Sequence, residues 1–463
     1  MKQNELASKL GNLFTKHNHE LFLVGGAIRD TLLDKTPDEL DFATNAKPEE
    51  IKSILKQAKP TNTYTIGEKF GTIGAFFGTC KIEITTYRSE AYLAGDRHPE
   101  VTFGKSLQED LSRRDFTINS IAYNPITKEY VDPYNGKGDL AKKIIRVVGD
   151  TSAPHPSKKG DGGADRFRED PLRILRAIRF AVVLKFEIDD KTLEYVKSTA
   201  PEIASISVER IAQELDKILT SETPSHAIQL LSETKLLDYI LPEFIALQTV
   251  QHEANEHKNI YQHTLTVLDN VPPTKQLRWL ALLHDIAKPQ TKTTQNNEVH
   301  FLHHETVGSK MAKNILQRLH YDNQFTNNIT KLIKLHLRVN LYQPTWTDGA
   351  VKRLMLEAGD LLDDLITFSY ADITSARQYK VDQGHKRIDE FKKRAEEVRK
   401  QEELEKIKSP LSGDELMELF NKPAGPWIKP IKEHLLDLVI DGKMTQDDKE
   451  TAKKIALDLI QKK

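Results

Sequence analysis

Hydrophobic and polar positions change their rhythm about a third of the way along the chain. In the first part the apolar residues come in short runs. LFLV (Leu21 to Val24) reads as a buried strand and LDFAT, ending at Thr44, as a second. TYTI, TIGAFF and KIEITTY follow as further strands, the last alternating with period two. Between them residues 1–18, 27–33 and 47–56 carry helical spacing, so this part is mixed α/β. From Arg166 onward the apolar positions recur three and four apart, as in Leu172, Leu175, Ile178 and Val182, and nearly everything reads as helix. SAPHPSKKGDGGAD (Ser152 to Asp165), rich in Pro, Gly and Lys, reads as a mobile loop between the two regimes. A second helical block spans roughly 255–375. The almost wholly charged stretch Lys386 to Lys408 reads as a solvated helix bridging domains, and a short helical tail follows from Pro410. There is no internal repeat. The expected division is 1–150, 151–250, 251–380 and 381–463.

Composition narrows the class without choosing a function. With 463 residues, 38% hydrophobic and 29% charged, the chain is globular rather than disordered, and large enough for several domains. Cys80 is the only cysteine, which excludes an internal disulfide and suits a reducing cytoplasm. No apolar run approaches the ~20 residues a membrane span needs, and the amphipathic N-terminus lacks the apolar centre of a signal peptide. A net charge of −1 leaves nucleic-acid binding open, since a polyanion needs only a locally basic face.

Candidate chemistry begins at Gly25 and Gly26, which directly follow the first strand. Paired glycines let backbone approach a ligand and tolerate positive φ, and N–H groups at a helix start suit a triphosphate. A lone Gly-Gly is, by itself, better explained as a tight turn. Glu39 and Asp41 lie two apart on a strand and so share a face, where two carboxylates repel unless a cation lies between them. A solvated strand end explains the pair about as well. Glu83, in KIEIT, reads as the exposed side of an alternating strand in preference to a third metal ligand.

The order strand, Gly-Gly, helix, carboxylate pair resembles the nucleotidyltransferase superfamily. RRDFTINSIAYN (Arg113 to Asn124), VDPYNGKGDL with IRVVGD, and RFREDPLRILRAIRFA (Arg166 to Ala181) are similar to the class II tRNA nucleotidyltransferases, the CCA-adding enzymes and their bacterial poly(A) polymerase relatives. The resemblance covers about residues 20–240. It implies an α/β nucleotidyltransferase head with a mixed sheet, then a mostly α-helical neck, body, HD domain and tail. It implies that Gly25, Gly26 and Arg29 meet NTP phosphates, with Arg29 alternatively pairing Asp30. Glu39 and Asp41 would be the catalytic carboxylates that hold Mg²⁺. The family has Asp-x-Asp there, so Asp41 is the firmer ligand. Arg113, Arg114 and Asp115 would contact ribose. Asp170 and Arg173, three apart on one helix, would read the base, with Arg176 and Arg179 continuing the basic stripe. A carboxylate and a guanidinium suit the amine and ring acceptors of cytosine and adenine and reject uracil and guanine. For each motif taken alone a cap or surface ion pair suffices. RSEAYLAGDRHP (Arg88 to Pro99) is similar to the flexible loop of complete CCA-adding and A-adding members.

Further on, His263, the adjacent His284 and Asp285, and Asp372 match the H…HD…D pattern of HD metal-dependent phosphohydrolases, and His304 and His336 fit the extra histidines of two-metal members. His303 is the alternative to His304. Imidazole with carboxylate suits a divalent transition metal such as Mn²⁺, Ni²⁺, Fe or Zn²⁺; a decayed, structural HD domain is the other reading. The tail resembles one that contacts the tRNA elbow. The resulting expectation is a cytoplasmic enzyme adding C and A from CTP and ATP to tRNA without a nucleic-acid template, with an HD hydrolase beside it. Its rivals are an A-adding enzyme or poly(A) polymerase, and a metal phosphohydrolase with an inactive RNA-gripping head.

Overall fold

The computed structural model describes residues 3–65, 67–91, 100–103, 106–149, 162–249, 259–296, 298–401 and 408–461. The chain forms two compact units, Met1–Pro242 and Glu243–Lys463.

The first unit is organised by strands β1 (Leu21–Val24), β2 (Glu39–Thr44), β3 (Asn62–Tyr64), β4 (Thr72–Phe77), β5 (Cys80–Thr86), β6 (Arg88–Ala91), β7 (Glu100–Phe103), β8 (Ala122–Tyr123) and β9 (Tyr130–Val131). Seven of them form one sheet in the order β3-β4-β5-β2-β1-β8-β9. Only β2 and β5 run parallel to each other in it; the other neighbours are antiparallel. The two strands alternate in phase. Leu40 and Phe42 in β2, like Ile82 and Ile84 in β5, are buried, whereas Glu39, Asp41, Lys81 and Glu83 lie together on the opposite, partly open face. β6 and β7 pair as a separate ribbon. The rest of the Arg88 to Pro99 motif, residues 92–99, lies outside the described residues.

Helices α1 (Gln3–Lys16), α2 (Gly26–Leu32) and α3 (Pro48–Ala58) fall where the periodicity predicts them. Pro48 opens α3 at a position where its missing N–H costs nothing, and Glu50 accepts from the Lys47 backbone N–H at 2.7 Å. After α4 (Leu107–Ser112) and α5 (Gly136–Lys142) come α6 (Gly162–Glu169) and α7 (Leu172–Leu184). Two expectations change here. The Ser152 to Asp165 segment is not all loop, because α6 starts at Gly162; residues 150–161 lie outside the described residues. Asp170 does not share a helix with Arg173. Pro171, which cannot supply a backbone N–H to α6, separates the two helices, and Asp170 sits in the break. The region is not purely helical either, since Ile144–Ile145 pairs in parallel with Glu187–Ile188.

Among the described residues, the regular structure of the second unit is helical apart from the hairpin Lys292–Gln295 with Glu298–Phe301. Trp279, Leu316, Leu332 and Phe368 are fully buried at its centre. The long helix Gln378–Gln401 departs from the expected solvated rod. Ile388, Phe391, Ala395 and Val398 form a buried stripe, and Phe391 meets Tyr342 with ring centroids 5.5 Å apart. Four apolar residues at helical spacing suffice for one buried face, and the lysines and glutamates cover the others. The tail helices Gly413–Phe420, Ile428–Ile440 and Lys449–Gln461 enclose their own cluster of Leu411, Leu416, Leu435 and Ala456. Among the described residues no helix is long and apolar enough to cross a membrane.

The buried stripe predicts that Phe391→Ala lowers the stability of the second unit by about 3–5 kcal/mol, whereas exposed Lys392→Ala stays within about 0.5 kcal/mol. Urea unfolding of the two variants measures the difference.

Candidate active site in the head and candidate metal centre in the second unit

The in-phase alternation of β2 and β5 sets Asp41 beside Glu83 and Glu39 beside Lys81 in register. Three carboxylates thus share one patch of sheet. The Lys81 ammonium lies 2.6 Å from Glu39 Oε2 and 3.0 Å from Glu83 Oε1, and the Tyr64 hydroxyl donates to Glu83 at 2.9 Å. Glu83 thus lies on the partly open side of its alternating strand, as the sequence reading prefers, and there it adjoins Glu39 and Asp41. Asp41 has no hydrogen-bond partner among the described residues. Burial first, then the neighbouring charges of Glu39 and Glu83, push its carboxyl up to about 6. A half-buried carboxylate raised by two other acids has the donor chemistry that a hard divalent cation would satisfy.

Gly25 closes the cluster. Its φ is 68°, and a Cβ there would lie 3.0 Å from Arg114 Nη1 and 3.8 Å from Asp41 Oδ2. Positive φ and the proximity of Arg114 both favour glycine. Gly26 then opens α2, and Arg29, one turn on, donates to Asp30 at 2.9 Å and Asn119 at 3.0 Å.

The arginines are held by buried acids. Arg113 and Arg114 both clamp Asp110, at 2.6 and 2.9 Å. Against the cost of burial, these guanidiniums hold Asp110 down to about 2. Asp115 accepts from Arg176 at 2.6 Å and from Asn119 at 3.0 Å and, despite burial, is likewise held at about 2, chiefly by Arg176. Arg173 donates to the Arg113 carbonyl at 2.8 Å, to the Arg166 carbonyl at 3.0 Å and to Glu169 at 3.3 Å. Asp170 accepts from the Leu172 N–H at 3.3 Å and pairs with Arg210 at 3.0 Å. Arg179 lies 2.8 Å from the buried Glu214, and burial lowers its guanidinium to about 10. The Phe180 ring gathers three guanidiniums, Arg179 at 4.2 Å, Arg29 at 5.1 Å and Arg176 at 5.2 Å from its centroid.

All twelve candidate residues of this unit line one cleft of about 510 Å³: Gly25, Gly26, Arg29, Glu39, Asp41, Arg113, Arg114, Asp115, Asp170, Arg173, Arg176 and Arg179. Asn119 and Phe180 line it as well and were not singled out from sequence. Asn119 lay in plain view inside RRDFTIN. Phe180 gave no signal, because an aromatic at helical spacing reads as core. Nothing in the local sequence marks Asp110 and Glu214 as counter-ions to these arginines.

The other candidates converge separately in the second unit. His263 Nε2 lies 3.2 Å from Asp372 Oδ1 and 3.3 Å from His284 Nε2, and His284 Nε2 lies 3.2 Å from Asp285 Oδ2. On the other side of Asp285, His304 Nε2 is 3.5 Å from Oδ1 and 3.4 Å from His336 Nε2. The far nitrogens are tethered: His284, His304 and His336 Nδ1 to the carbonyls of Ala281, Phe301 and Ile333, at 2.9, 2.7 and 2.6 Å, and His263 Nδ1 to the Thr374 hydroxyl at 2.6 Å. Such tethers aim Nε2 inward, as metal-ligating imidazoles require. Asp285 Oδ1 is buried without a hydrogen-bond partner, an orphan acceptor that a cation would satisfy. Burial, with the neighbouring His284, lowers His336 to about 4, so it is neutral and able to ligate near pH 7. Two triads that could hold a metal ion share Asp285 among the described residues: His263–His284–Asp285 and Asp285–His304–His336. His303 is the exposed residue just before the helix His304–Arg318, with its side chain 84% accessible, so His304 is the inward member of the two.

Residues 21–146 match the poly A polymerase head domain, 185–247 the probable RNA and SrmB- binding site of polymerase A, and 260–377 the HD domain. The chain is 30% identical over 430 residues to the CCA-adding enzyme of Geobacillus sp. (strain WCH70), covering 93% of this chain and 91% of that protein. To the CCA-adding enzyme of Pediococcus pentosaceus it is 32% identical over 344 residues, 71% of this chain and 78% of the relative. Among solved structures, the CCA-adding enzyme of Bacillus stearothermophilus in complex with CTP has a similar fold, with a TM-score of 0.64 at 24% identity, covering 100% of this chain and 99% of that one.

The raised Asp41 carboxyl yields a pH prediction. Its folded value of about 6 exceeds the ordinary 3.8, so the native state binds a proton more readily than the unfolded chain, and Asp41 costs stability as pH rises from about 4 to 6. In EDTA, Asp41→Asn is expected to be more stable than the parent at pH 7 by roughly 1–2 kcal/mol, after discounting for residual solvent. The gap closes by about pH 4, the acid side of the ordinary carboxylate range. Thermal melts at the two pH values measure it.

Proposed function

The chain belongs to the CCA-adding enzyme family, and from that premise we propose that it adds C and A, from CTP and ATP, to the 3′ end of tRNA without a nucleic-acid template. It is a nucleotidyltransferase with an HD domain attached, and both are metal-dependent kinds of domain. The observation that carries the proposal is that the acid cluster and the acid–arginine pair of the neck open into the same cleft.

In this reading Glu39 and Asp41 hold Mg²⁺, which when bound would lower the pKa of the RNA 3′-hydroxyl and neutralise charge at the α-phosphate. Gly25 and Gly26 admit the triphosphate to the backbone N–H groups at the start of α2. Arg29 and Arg114 supply positive charge to it. Arg113 and Asp115, each fixed by an internal partner, present a donor and an acceptor to the ribose hydroxyls. Asp170 accepts from the exocyclic amine that cytosine and adenine share. Arg173 spends three hydrogen bonds on the protein frame and keeps two of the five guanidinium N–H donors for the base. Uracil and guanine offer a carbonyl where the amine should be, leaving the Asp170 carboxylate unpaired. Arg176 and Arg179 extend the cationic wall. With these substrates, the inferred compartment is the cytoplasm.

The separate histidine–aspartate cluster favours a second activity. We propose that His263, His284, Asp285, His304, His336 and Asp372 hold divalent transition metal, and that this site hydrolyses phosphomonoesters or 2′,3′-cyclic phosphates at RNA ends. The orphan Asp285 Oδ1 and the inward-aimed Nε2 atoms support an intact site over a decayed one.

Transcripts of tRNA ending before CC, after CC and after CCA, each supplied with single NTPs and Mg²⁺, test the main reading. C followed by A is expected; A alone on the CC transcript, or long A tails, would replace it with the A-adding or polyadenylating alternatives. Asp41→Ala is expected to abolish incorporation and to leave hydrolysis of 2′,3′-cyclic phosphate intact. Asp170→Ala is expected to lower the preference for CTP over UTP by at least about 10-fold with a smaller change in triphosphate affinity. Unchanged selectivity would remove Asp170 from base choice.

A further inference from the structure

Lys81 has no part in the chemistry described above, yet it is in direct contact with one of the two catalytic acids, Glu39. It occupies the β5 position in register with Glu39 and lies on the same face as Glu83. Its ammonium bridges the two, 2.6 Å from Glu39 Oε2 and 3.0 Å from Glu83 Oε1. One carboxylate oxygen of the Glu39 ligand is thereby already committed. Asp41, two residues along the same strand, has no such partner among the described residues. The longer arm of glutamate matters here, because an aspartate at position 39 would carry its oxygens one methylene closer to the strand, away from a lysine on the neighbouring one.

We propose that Lys81 is a built-in counter-cation that competes with the divalent metal for Glu39, so that metal entry requires the Lys81–Glu39 ion pair to open. This rests on Glu39 and Asp41 being the metal site of the head. With the pair closed, the empty cluster carries a partly neutralised charge and is tolerated on a half-buried sheet face. With it open, all three carboxylates face the incoming cation. Lys81 therefore tunes the occupancy of the site and touches no substrate. The ion pair is partly exposed, with side chains 36% and 43% accessible, so its opening costs little and the effect on affinity is modest.

Mn²⁺ serves as the probe, titrated into the full-length protein without nucleotide and followed by the electron paramagnetic resonance of the free ion. The binding class that disappears in Asp41→Asn reports the head and separates it from the histidine cluster. Lys81→Met is expected to tighten that class by about three- to ten-fold, whereas Lys81→Arg, which keeps the charge, stays within about two-fold of the parent. In a Glu39→Gln background Lys81→Met is expected to tighten binding by less than about two-fold, because the Glu39 pair is already gone and only the longer Lys81–Glu83 contact is left to release. Unchanged or weaker Mn²⁺ binding in Lys81→Met overturns the competition and leaves the metal site standing. Equal tightening in the Glu39→Gln background overturns it too, since Lys81 would then act through its field alone. Absence of any Asp41-dependent class removes the metal site and the inference together.

Discussion

Two strands running parallel at the middle of the head sheet, in phase, decide what this protein can do. Because β2 and β5 alternate together, every carboxylate that one contributes to the open face is met by a charged residue of the other. Slipping either strand by one residue would turn Leu40 and Ile82 outward and carry Asp41 and Glu83 into the core, so the packing that buries Phe42 and Ile84 also enforces the acid cluster. Burial, and after it the repulsion within that cluster, makes Asp41 basic, and the arrangement persists because the hydrophobic face underneath over-determines the register.

Around the acids, the cleft is an array of arginines that are almost all anchored from behind. Asp110, Glu169 and Glu214, none of which lines the cleft, hold guanidiniums from outside it, and Asp115 holds Arg176 from within. Free arginines in such number would repel one another and sample many rotamers. Pinned by acids they become a rigid cationic wall with donors in fixed places, which suits the proposed choice of nucleotide without a template strand.

The legible parts of the molecule were those with local causes. β1, β2, α2 and α3 follow from short-range periodicity, and the Glu39–Asp41 pair follows from strand alternation. Sheet order was out of reach, since the pairing of β2 with β5 joins residues some forty apart in sequence. Asp170 and Arg173 were expected on one helix because spacing alone ignores what Pro171 does to a backbone. Glu83 was rightly placed on the outward side of β5, but its neighbours were not legible: one alternating strand shows which residues face outward, and only the adjoining strand reveals what they face. The helix Gln378–Gln401 looked solvated because its charge outweighs a four-residue apolar stripe in any average. The histidine cluster was readable as a set of residue types, but the sharing of Asp285 between two triads was not.

That shared aspartate has a consequence for how the proposed metal centre would fill. Each triad needs Asp285, one through Oδ2 beside His263 and His284, the other through Oδ1 beside His304. A ligand held in common links the two positions thermodynamically: whatever fills one alters the charge and orientation offered to the other, and by the same factor in both directions. Occupancy of the pair would then be described by an intrinsic constant for each position and one coupling factor that both share.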